Sequence, residues 1–163
     1  MTSNVYIMDS SSLIELNRHN PIDVFPSVWK NMESLIRKGL LVAPIEVLYE
    51  ITERDDQLVK WAKKQTGFFR TPTGKQIEIL KGILKEYPSL VREDRKYDAD
   101  SWVIALAIEM TRDSQQTLTP IKRLVVTEEK LRGEKIRMPF VCRKYNIVSI
   151  DIIEMFRIEG WRF

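Results

Sequence analysis

The stretch Asn4-Val-Tyr-Ile-Met-Asp9-Ser-Ser-Ser-Leu-Ile-Glu15 decides the fold. Val5 to Met8 is a short apolar run that is rich in β-branched and aromatic side chains. Such a run predicts a strand that is buried on both faces, as in a parallel sheet covered by helices. The acid Asp9 follows the strand directly. Open α/β sheets bind their ligands at the carboxyl ends of their strands, so Asp9 is a candidate functional residue.

The start of the first helix determines whether Asp9 is needed as its N-cap. Ser12 and Glu15 have the spacing of a capping box, in which each side chain accepts a hydrogen bond from the other residue's backbone amide. This box would cap the helix without Asp9, leaving Asp9 and Ser11 in the turn between strand and helix. Asp9 as a ligand and Asp9 as a simple Asx-turn are equally supported by this stretch alone.

Length and composition bound the class of protein. With 163 residues, 44% hydrophobic and 30% charged, the chain is expected to form a single soluble domain spanning residues 1–163. Its apolar runs are far shorter than the roughly 20 residues that cross a bilayer. The apolar start reaches an acid at Asp9, so no signal peptide is expected.

Cysteine and histidine counts narrow the chemistry. The single cysteine, Cys142, excludes an internal disulfide and favours a cytoplasmic location. One histidine, His19, and one cysteine make a zinc site or a Ser-His-Asp triad improbable. The net charge of +3 permits a polyanionic partner but does not require one.

Strand and helix patterns alternate along the chain. Three more apolar runs predict strands: Leu40–Ala43, Leu124–Thr127 and Ile147–Ile150. Helical spacing follows Pro26 and Pro44, gives two helices between Asp55 and Tyr87, and returns at Asp98–Met110, Pro139–Tyr145 and Ile153–Ile158. The polar stretch Thr111–Thr119 predicts a surface connection. This order predicts an α/β protein, a three-layer α/β/α sandwich with a central parallel sheet of about four strands.

Asp100 is the acid that most clearly points inward. Val103, Ile104 and Ala107 follow it at i+3, i+4 and i+7, so Asp100 heads the helix stripe that must face the core. Asp98 aligns with a more mixed face and is the better helix cap. A buried carboxylate at the start of a helix suggests a ligand, although a cap that uses the helix dipole remains an alternative.

Helical geometry also distinguishes Glu50 from the other acids near it. The apolar arc of its helix is set by Val47, Leu48 and Ile51. At about 100° per residue, Glu50 lies on the border of this arc, while Glu46 and Glu53 turn further towards solvent. Glu50 is therefore the candidate ligand of this helix.

A fourth acid follows the Leu124–Thr127 strand, where Glu128 and Glu129 repeat the arrangement seen at Asp9. A helix start with Thr127 as its cap explains these residues equally well. Carboxylates gathered at one sheet edge repel one another unless they bind protons or a cation. An all-oxygen set suits Mg²⁺ or Mn²⁺, which activate water and stabilise the oxygens of a phosphodiester.

Four pieces of sequence, in this order, resemble PIN-domain ribonucleases. They are strand-Asp9-x-Ser11, Pro44-x₅-Glu50, Asp100-x-x-Val-Ile-Ala105-x-Ala107 and Val-Val-Thr127-x-Glu129. Each piece is weak alone, but together they extend over nearly the full chain. The Asp100 motif and the C-terminal tail indicate an uncharacterised PIN-like branch rather than the best-studied VapC group.

The resemblance implies a metal-dependent endoribonuclease, with Mg²⁺ or Mn²⁺ as cofactor and RNA as substrate. It further implies the toxin role of a bacterial VapC-like toxin-antitoxin pair, with an antitoxin partner and a homodimer. Carried over by position, Asp9, Glu50 and Asp100 would hold the metal, and Glu129 would complete the acidic set directly or through water. Ser11 and Thr127 would orient ligands or waters.

Two departures leave questions open. The last acidic position is usually Asp or Asn in PIN domains, and a longer Glu leaves the choice between Glu128 and Glu129 open. The helical region Asp55–Tyr87 is longer than in the smallest toxins. A catalytically inactive PIN-like module that binds RNA or protein is the alternative function, favoured if the acids fail to converge or bind no metal. A haloacid-dehalogenase-type enzyme is disfavoured because Ser11 stands where its second Asp is required.

Overall fold

A five-stranded parallel sheet forms the centre of the protein in the computed structural model, which describes residues 3–94, 96–113, 120–133 and 135–163. The strands are β1 (Ser3–Met8), β2 (Leu41–Pro44), β3 (Phe69–Arg70), β4 (Ile121–Val126) and β5 (Val148–Ile150). Their order across the sheet is β3-β2-β1-β4-β5. The predicted α/β class with a parallel sheet is confirmed.

Helices connect successive strands and cover the sheet. They are α1 (Ser10–His19), α2 (Pro26–Arg37), α3 (Ile45–Thr52), α4 (Asp56–Lys63), α5 (Gly74–Glu86), α6 (Asp100–Arg112), α7 (Met138–Lys144) and α8 (Ile152–Glu159). A 3₁₀ turn at Pro88–Leu90 follows α5. Within the described ranges, no helix is long and apolar enough to cross a membrane.

Strand β1 lies in the middle of the sheet. It pairs with β4 from Ser3↔Ile121 to Met8↔Val126, and with β2 at Tyr6↔Leu41 and Ile7↔Val42. Its last four residues are buried, as expected for a strand covered on both faces. Helix α6 contacts β1, β2 and β4, and its buried Val103, Ile104 and Ala107 form part of the core.

The prediction of about four strands missed β3. This strand has two residues and pairs Ala43 with Phe69 and Pro44 with Arg70, within the region Asp55–Tyr87 for which only two helices were predicted. Two residues are too few to show a period-2 pattern, so only tertiary pairing defines the strand. The predicted connection Thr111–Thr119 begins later than expected, because α6 extends to Arg112, and residues 114–119 lie outside the described ranges.

The predicted capping box at the first helix is wrong. Helix α1 begins at Ser10, with Asp9 as the N-cap residue and Asp9 Oδ1 accepting from the Ser10 amide at 2.8 Å. Ser12 lies inside the helix and donates its hydroxyl to Glu128 Oε1 at 3.0 Å. Glu15 pairs with Arg18 and His19 instead of reaching back. The extended backbone of Asp9 lets the helix start directly after the strand, so the two serines before Ser12 become helical.

Candidate metal centre

Three buried carboxylates meet at the carboxyl edge of the sheet. Asp9 is 2% exposed, Glu50 is 5% exposed and Asp100 is 3% exposed. One carboxylate oxygen from each residue lies within 4.8 Å of the others. The three residues carried over as metal ligands are therefore brought together, although 41 or more residues separate any two of them in the chain.

The topology explains this convergence. Asp9 follows β1 directly, Glu50 lies in the helix that leaves β2, and Asp100 is the first residue of α6. Because β1 and β2 are parallel neighbours, their carboxyl ends and the helices that follow share one edge. The core contacts of α6 bring the start of this helix over the same edge.

Hydrogen bonds fix the orientation of Asp9. Asp9 Oδ2 accepts from Ser11 Oγ at 2.7 Å and from Thr127 Oγ1 at 2.9 Å, and Oδ1 accepts from the Ser10 amide. The Ser11 and Thr127 hydroxyls are also 3.3 Å apart. Both residues expected to orient a ligand therefore hold Asp9 itself. Their role in metal binding stays a prediction.

Ser10 is a residue of the site that the sequence analysis missed. Its hydroxyl donates to Glu50 Oε1 at 2.9 Å, and Ser10 is 8% exposed. The same residue therefore links the end of β1 to the carboxylate supplied by α3. Its position next to Asp9 could have indicated this role. The helix was expected to begin at Ser12, however, so Ser10 was not considered as part of it.

The two acids after β4 have different contacts. Glu128 Oε1 accepts from Ser12 Oγ and from the Ile152 amide, both at 3.0 Å, so Glu128 joins α1 to the start of α8. Glu129 Oε1 lies 3.3 Å from Arg92 Nη2, and Oε2 accepts from the Met138 amide at 3.3 Å.

Electrostatics place Glu129, not Glu128, beside the cluster. Glu129 raises the pKa of Asp9 and Asp100, although it is not a member of the group of three close carboxylates. This favours Glu129 over Glu128 as the fourth acid, and both the choice and the role as a ligand stay predictions.

The segment before α6 supplies a cation that no sequence pattern revealed. The Arg92 amide donates to Asp98 Oδ2 at 2.8 Å, and Asp98 Oδ1 accepts from the Asp100 amide at 3.3 Å. Asp98 thus serves the start of the helix, as predicted for a cap, although Ala99 is the residue in the N-cap position. The same contacts fix the backbone at Arg92, whose side chain reaches Glu129.

Burial and mutual repulsion make ionisation of the cluster unfavourable. Burial raises the pKa of Asp9, and the charge of Glu129 adds to this effect against the hydrogen bonds from Ser11 and Thr127. The pKa of Asp100 is raised well above its usual value, first by burial and then by the charges of Asp9 and Glu129. The cluster therefore favours either protons or a bound cation.

The donor set fits a hard divalent cation. All the candidate ligand atoms are carboxylate oxygens, which hard divalent cations prefer. In an octahedral site with ligand distances of about 2.1 Å, neighbouring oxygens are about 3.0 Å apart and opposite oxygens about 4.2 Å apart. The three oxygens, which lie within 4.8 Å of one another, would therefore have to move closer together to share one ion.

Other residues singled out in the sequence differ from expectation or are structural. Glu46 is half-buried rather than turned to solvent, and its Oε2 is buried without a hydrogen-bond partner among the described residues. Burial raises the pKa of Glu46. Cys142 is fully buried, and burial together with the charges of Asp9 and Asp100 raises the pKa of its thiol. Its thiol is thus held protonated in the core.

Fold and site together define an α/β protein with a candidate divalent-metal centre at the edge of a parallel sheet. The chain belongs to the family described as "Domain of unknown function (DUF4411)", whose model matches residues 6–163. One similar solved structure is described as the crystal structure of VapBC2 from Rickettsia felis bound to a DNA fragment from their promoter. It is 13% identical, with a TM-score of 0.49, over 93% of this chain and 98% of that chain. No curated protein matches the chain.

Proposed function

We propose that this protein is a PIN-like, Mg²⁺- or Mn²⁺-dependent endoribonuclease that hydrolyses RNA phosphodiester bonds. The observation that carries the proposal is the meeting of Asp9, Glu50 and Asp100 in one buried group. These are the positions that the PIN resemblance assigns to the metal ligands. The family description names no activity, so the proposal depends on the residues of the site and on the resemblance of its four motifs.

Asp9, Glu50 and Asp100 would hold the metal, and Glu129 would complete the acidic set. A bound Mg²⁺ or Mn²⁺ supplies an activated water and stabilises charge on the phosphodiester oxygens. Ser11 and Thr127 keep the Asp9 carboxylate in one orientation, and Ser10 does the same for Glu50. Because these donors are already in place, little reorganisation of the protein is needed to form the site.

Two clefts open beside the carboxylates and offer access to an extended chain. The first has a volume of about 230 Å³ and is lined by Glu50, Glu53, Arg54, Asp94, Lys96 and Tyr97. The second has a volume of about 540 Å³ and is lined by Ser11, Ile14, Glu15, Arg18, Arg54, Glu128 and Glu129. Arg54 borders both clefts. A strand lying along both would have its backbone near the acids, as cleavage within a chain requires.

Cleavage of labelled single-stranded RNA with Mg²⁺ or Mn²⁺ tests the proposal. We expect the wild type to cut, and Asp9→Asn, Asp100→Asn or added EDTA to abolish cutting. Glu78→Gln is the matched control, since the Glu78 side chain is 73% exposed and borders neither cleft beside the acids. Cutting that survives Asp100→Asn would contradict the assigned site. Absence of cutting by folded wild type on several RNAs would favour the catalytically inactive binding module.

We infer the toxin role, the antitoxin partner and the homodimer from the PIN resemblance alone. Induced expression in bacteria tests the toxin role: growth should stop with the wild type and continue with Asp100→Asn at equal protein levels. Co-expression of the adjacent gene should restore growth if that gene encodes the antitoxin. Wild-type expression as harmless as that of Asp100→Asn would contradict a toxin while leaving the nuclease chemistry testable in vitro.

A further inference from the structure

Two tyrosines form a partly exposed aromatic surface next to the carboxylates. The ring centroids of Tyr49 and Tyr97 are 5.6 Å apart, with a 41° angle between the ring planes. Tyr49 is 43% exposed and precedes Glu50 in α3, while Tyr97 is half-buried and lies three residues before Asp100. The pair therefore joins the two chain segments that supply two of the three candidate metal ligands.

Positive charge borders this aromatic surface. Lys96 Nζ lies 5.3 Å from the centroid of the Tyr97 ring and 3.5 Å from Glu53 Oε1. Tyr97, Lys96 and Arg54 line the same cleft as Glu50. The cleft thus runs from an aromatic ring to a carboxylate of the candidate metal centre, and two cations stand along it.

We propose that Tyr49 and Tyr97 form a stacking site for one nucleobase of a single-stranded RNA, beside the phosphate held at the acidic cluster. This inference rests on the proposed nuclease function and adds to it the place where the substrate is held. Aromatic side chains stack on any base, and nearby Lys or Arg side chains contact the backbone. Lys96 and Arg54 are positioned for that second contact.

The composition of the cleft favours a base over an anionic ligand. Glu50, Glu53 and Asp94 line it beside two cations, so an acidic peptide would meet net repulsion. Carboxylates accept hydrogen bonds from the exocyclic amino groups of adenine, cytosine and guanine, whereas uracil has no such group. The volume of about 230 Å³ is below the roughly 300–1,000 Å³ of pockets for drug-sized ligands, so it suits one planar group.

Binding of RNA by the full chain carrying Asp100→Asn tests the stacking site without cleavage. The probe is a fluorescein-labelled single-stranded RNA, and the readout is fluorescence anisotropy without added metal, since Asp100→Asn is expected to lose the metal. We expect Tyr49→Ala and Tyr97→Ala to weaken binding roughly 5- to 100-fold, the range for loss of one stacked base. Tyr49→Phe and Tyr97→Phe should bind like the parent. Phe163→Ala is the matched control, because Phe163 is 60% exposed and its ring pairs with Phe156 and Trp161 rather than with either tyrosine.

A second measurement separates stacking from a loss of folding. The second measurement uses a series of RNAs, each with a single abasic nucleotide at a different position. We expect one position at which loss of the base weakens binding to the parent, the Asp100→Asn chain. The Tyr97→Ala chain should bind that abasic RNA as well as it binds the intact RNA. This variant already lacks the ring on which the missing base would stack, so loss of the base should have no further effect. At that position, uracil should bind the parent more weakly than adenine or cytosine. Abasic effects that are equal in the parent and in Tyr97→Ala would overturn the proposal, as would unchanged affinity in both alanine variants.

The outcomes distinguish this site from the nuclease itself. If the wild type cuts RNA and both alanine variants cut with unchanged KM, the stacking site is refuted while the nuclease stands. If the wild type cuts nothing but the Asp100→Asn chain binds RNA in a tyrosine-dependent way, the stacking site stands and the nuclease is refuted.

Discussion

The Arg92 guanidinium lies 3.3 Å from the Glu129 carboxylate, measured from Nη2 to Oε1. Both side chains are largely shielded from solvent, with 29% and 16% exposure respectively. Glu129 also accepts the Met138 amide, so both its oxygens are engaged before any metal binds. A positive charge is therefore paired with Glu129, the acid whose own charge raises the pKa of Asp9 and Asp100.

Removing that charge should strengthen metal binding. We expect Arg92→Gln to bind Mn²⁺ roughly three- to tenfold more tightly, because a partly buried cation no longer repels the ion and Glu129 is released towards the cluster. Calorimetric titration of metal-free protein measures the affinity. Arg92→Lys keeps the charge and should bind like the wild type. Equal or weaker binding by Arg92→Gln would mean that Arg92 holds Glu129 in place for the metal rather than competing with it.

Two serines of α1, Ser10 and Ser12, offer a matched test of ligand positioning. Ser10→Ala removes the donor to Glu50 and should lower Mn²⁺ affinity about 10- to 100-fold, the usual cost of losing a hydrogen bond that orients a ligand. Ser12→Ala removes a bond to Glu128, which holds α8, and should leave affinity unchanged. It should instead cost about 1 kcal/mol of unfolding free energy. The opposite pattern in the titrations would remove Ser10 from the site.

The pH dependence of stability has a definite sign. Burial first, then neighbouring charges, raise the folded-state pKa values of Asp9 and Asp100 above 3.8. These groups therefore stabilise the fold below about 3.8, and this contribution is lost as pH rises through the raised values. In EDTA, the unfolding free energy of wild type relative to Asp100→Asn should fall between pH 4 and pH 8. Urea denaturation of both proteins at each pH measures it. A constant difference would show that Asp100 titrates normally.

Bound metal should restore the unfolding free energy that is lost as pH rises. At a free concentration 100 times the Kd, Mn²⁺ is expected to stabilise the wild type by about 2.7 kcal/mol at neutral pH. Thermal melts with and without Mn²⁺ should show a rise in Tm for the wild type and for Glu78→Gln. No rise should occur for Asp9→Asn or Asp100→Asn. An equal rise in all four proteins would indicate binding elsewhere on the surface.

The main strands and helices were predictable because their burial follows simple periods. Val5 to Met8 is apolar throughout, and Asp100 heads a stripe of apolar residues, so the face of each element could be derived before its partners were known. The same reasoning selected Glu50 over Glu53. It failed for Glu46, whose Oε2 is covered by neighbours that helical geometry alone does not place.

The details of the site were not predictable in this way. The predicted capping box did not form, because Ser12 makes a tertiary contact instead. It donates to Glu128, 116 residues away, rather than capping its own helix. Arg92 reaches Glu129 over 37 residues and belongs to no recognisable motif. Strand β3 is defined only by its pairing with β2. Each of these features depends on chain segments meeting after folding.

The hydrogen bond from Thr127 to Asp9 spans 118 residues of chain. Strand β4, which ends just before Thr127, is also the partner that pairs with β1 along its whole length. Such distant contacts form only after the intervening chain is available to close the loop. During synthesis, Asp9 leaves the ribosome long before β4 does, and it must wait for β4 to be oriented. If the protein is the proposed ribonuclease, it would remain inactive while the first three-quarters of its own messenger RNA are being translated, since Thr127 is residue 127 of 163.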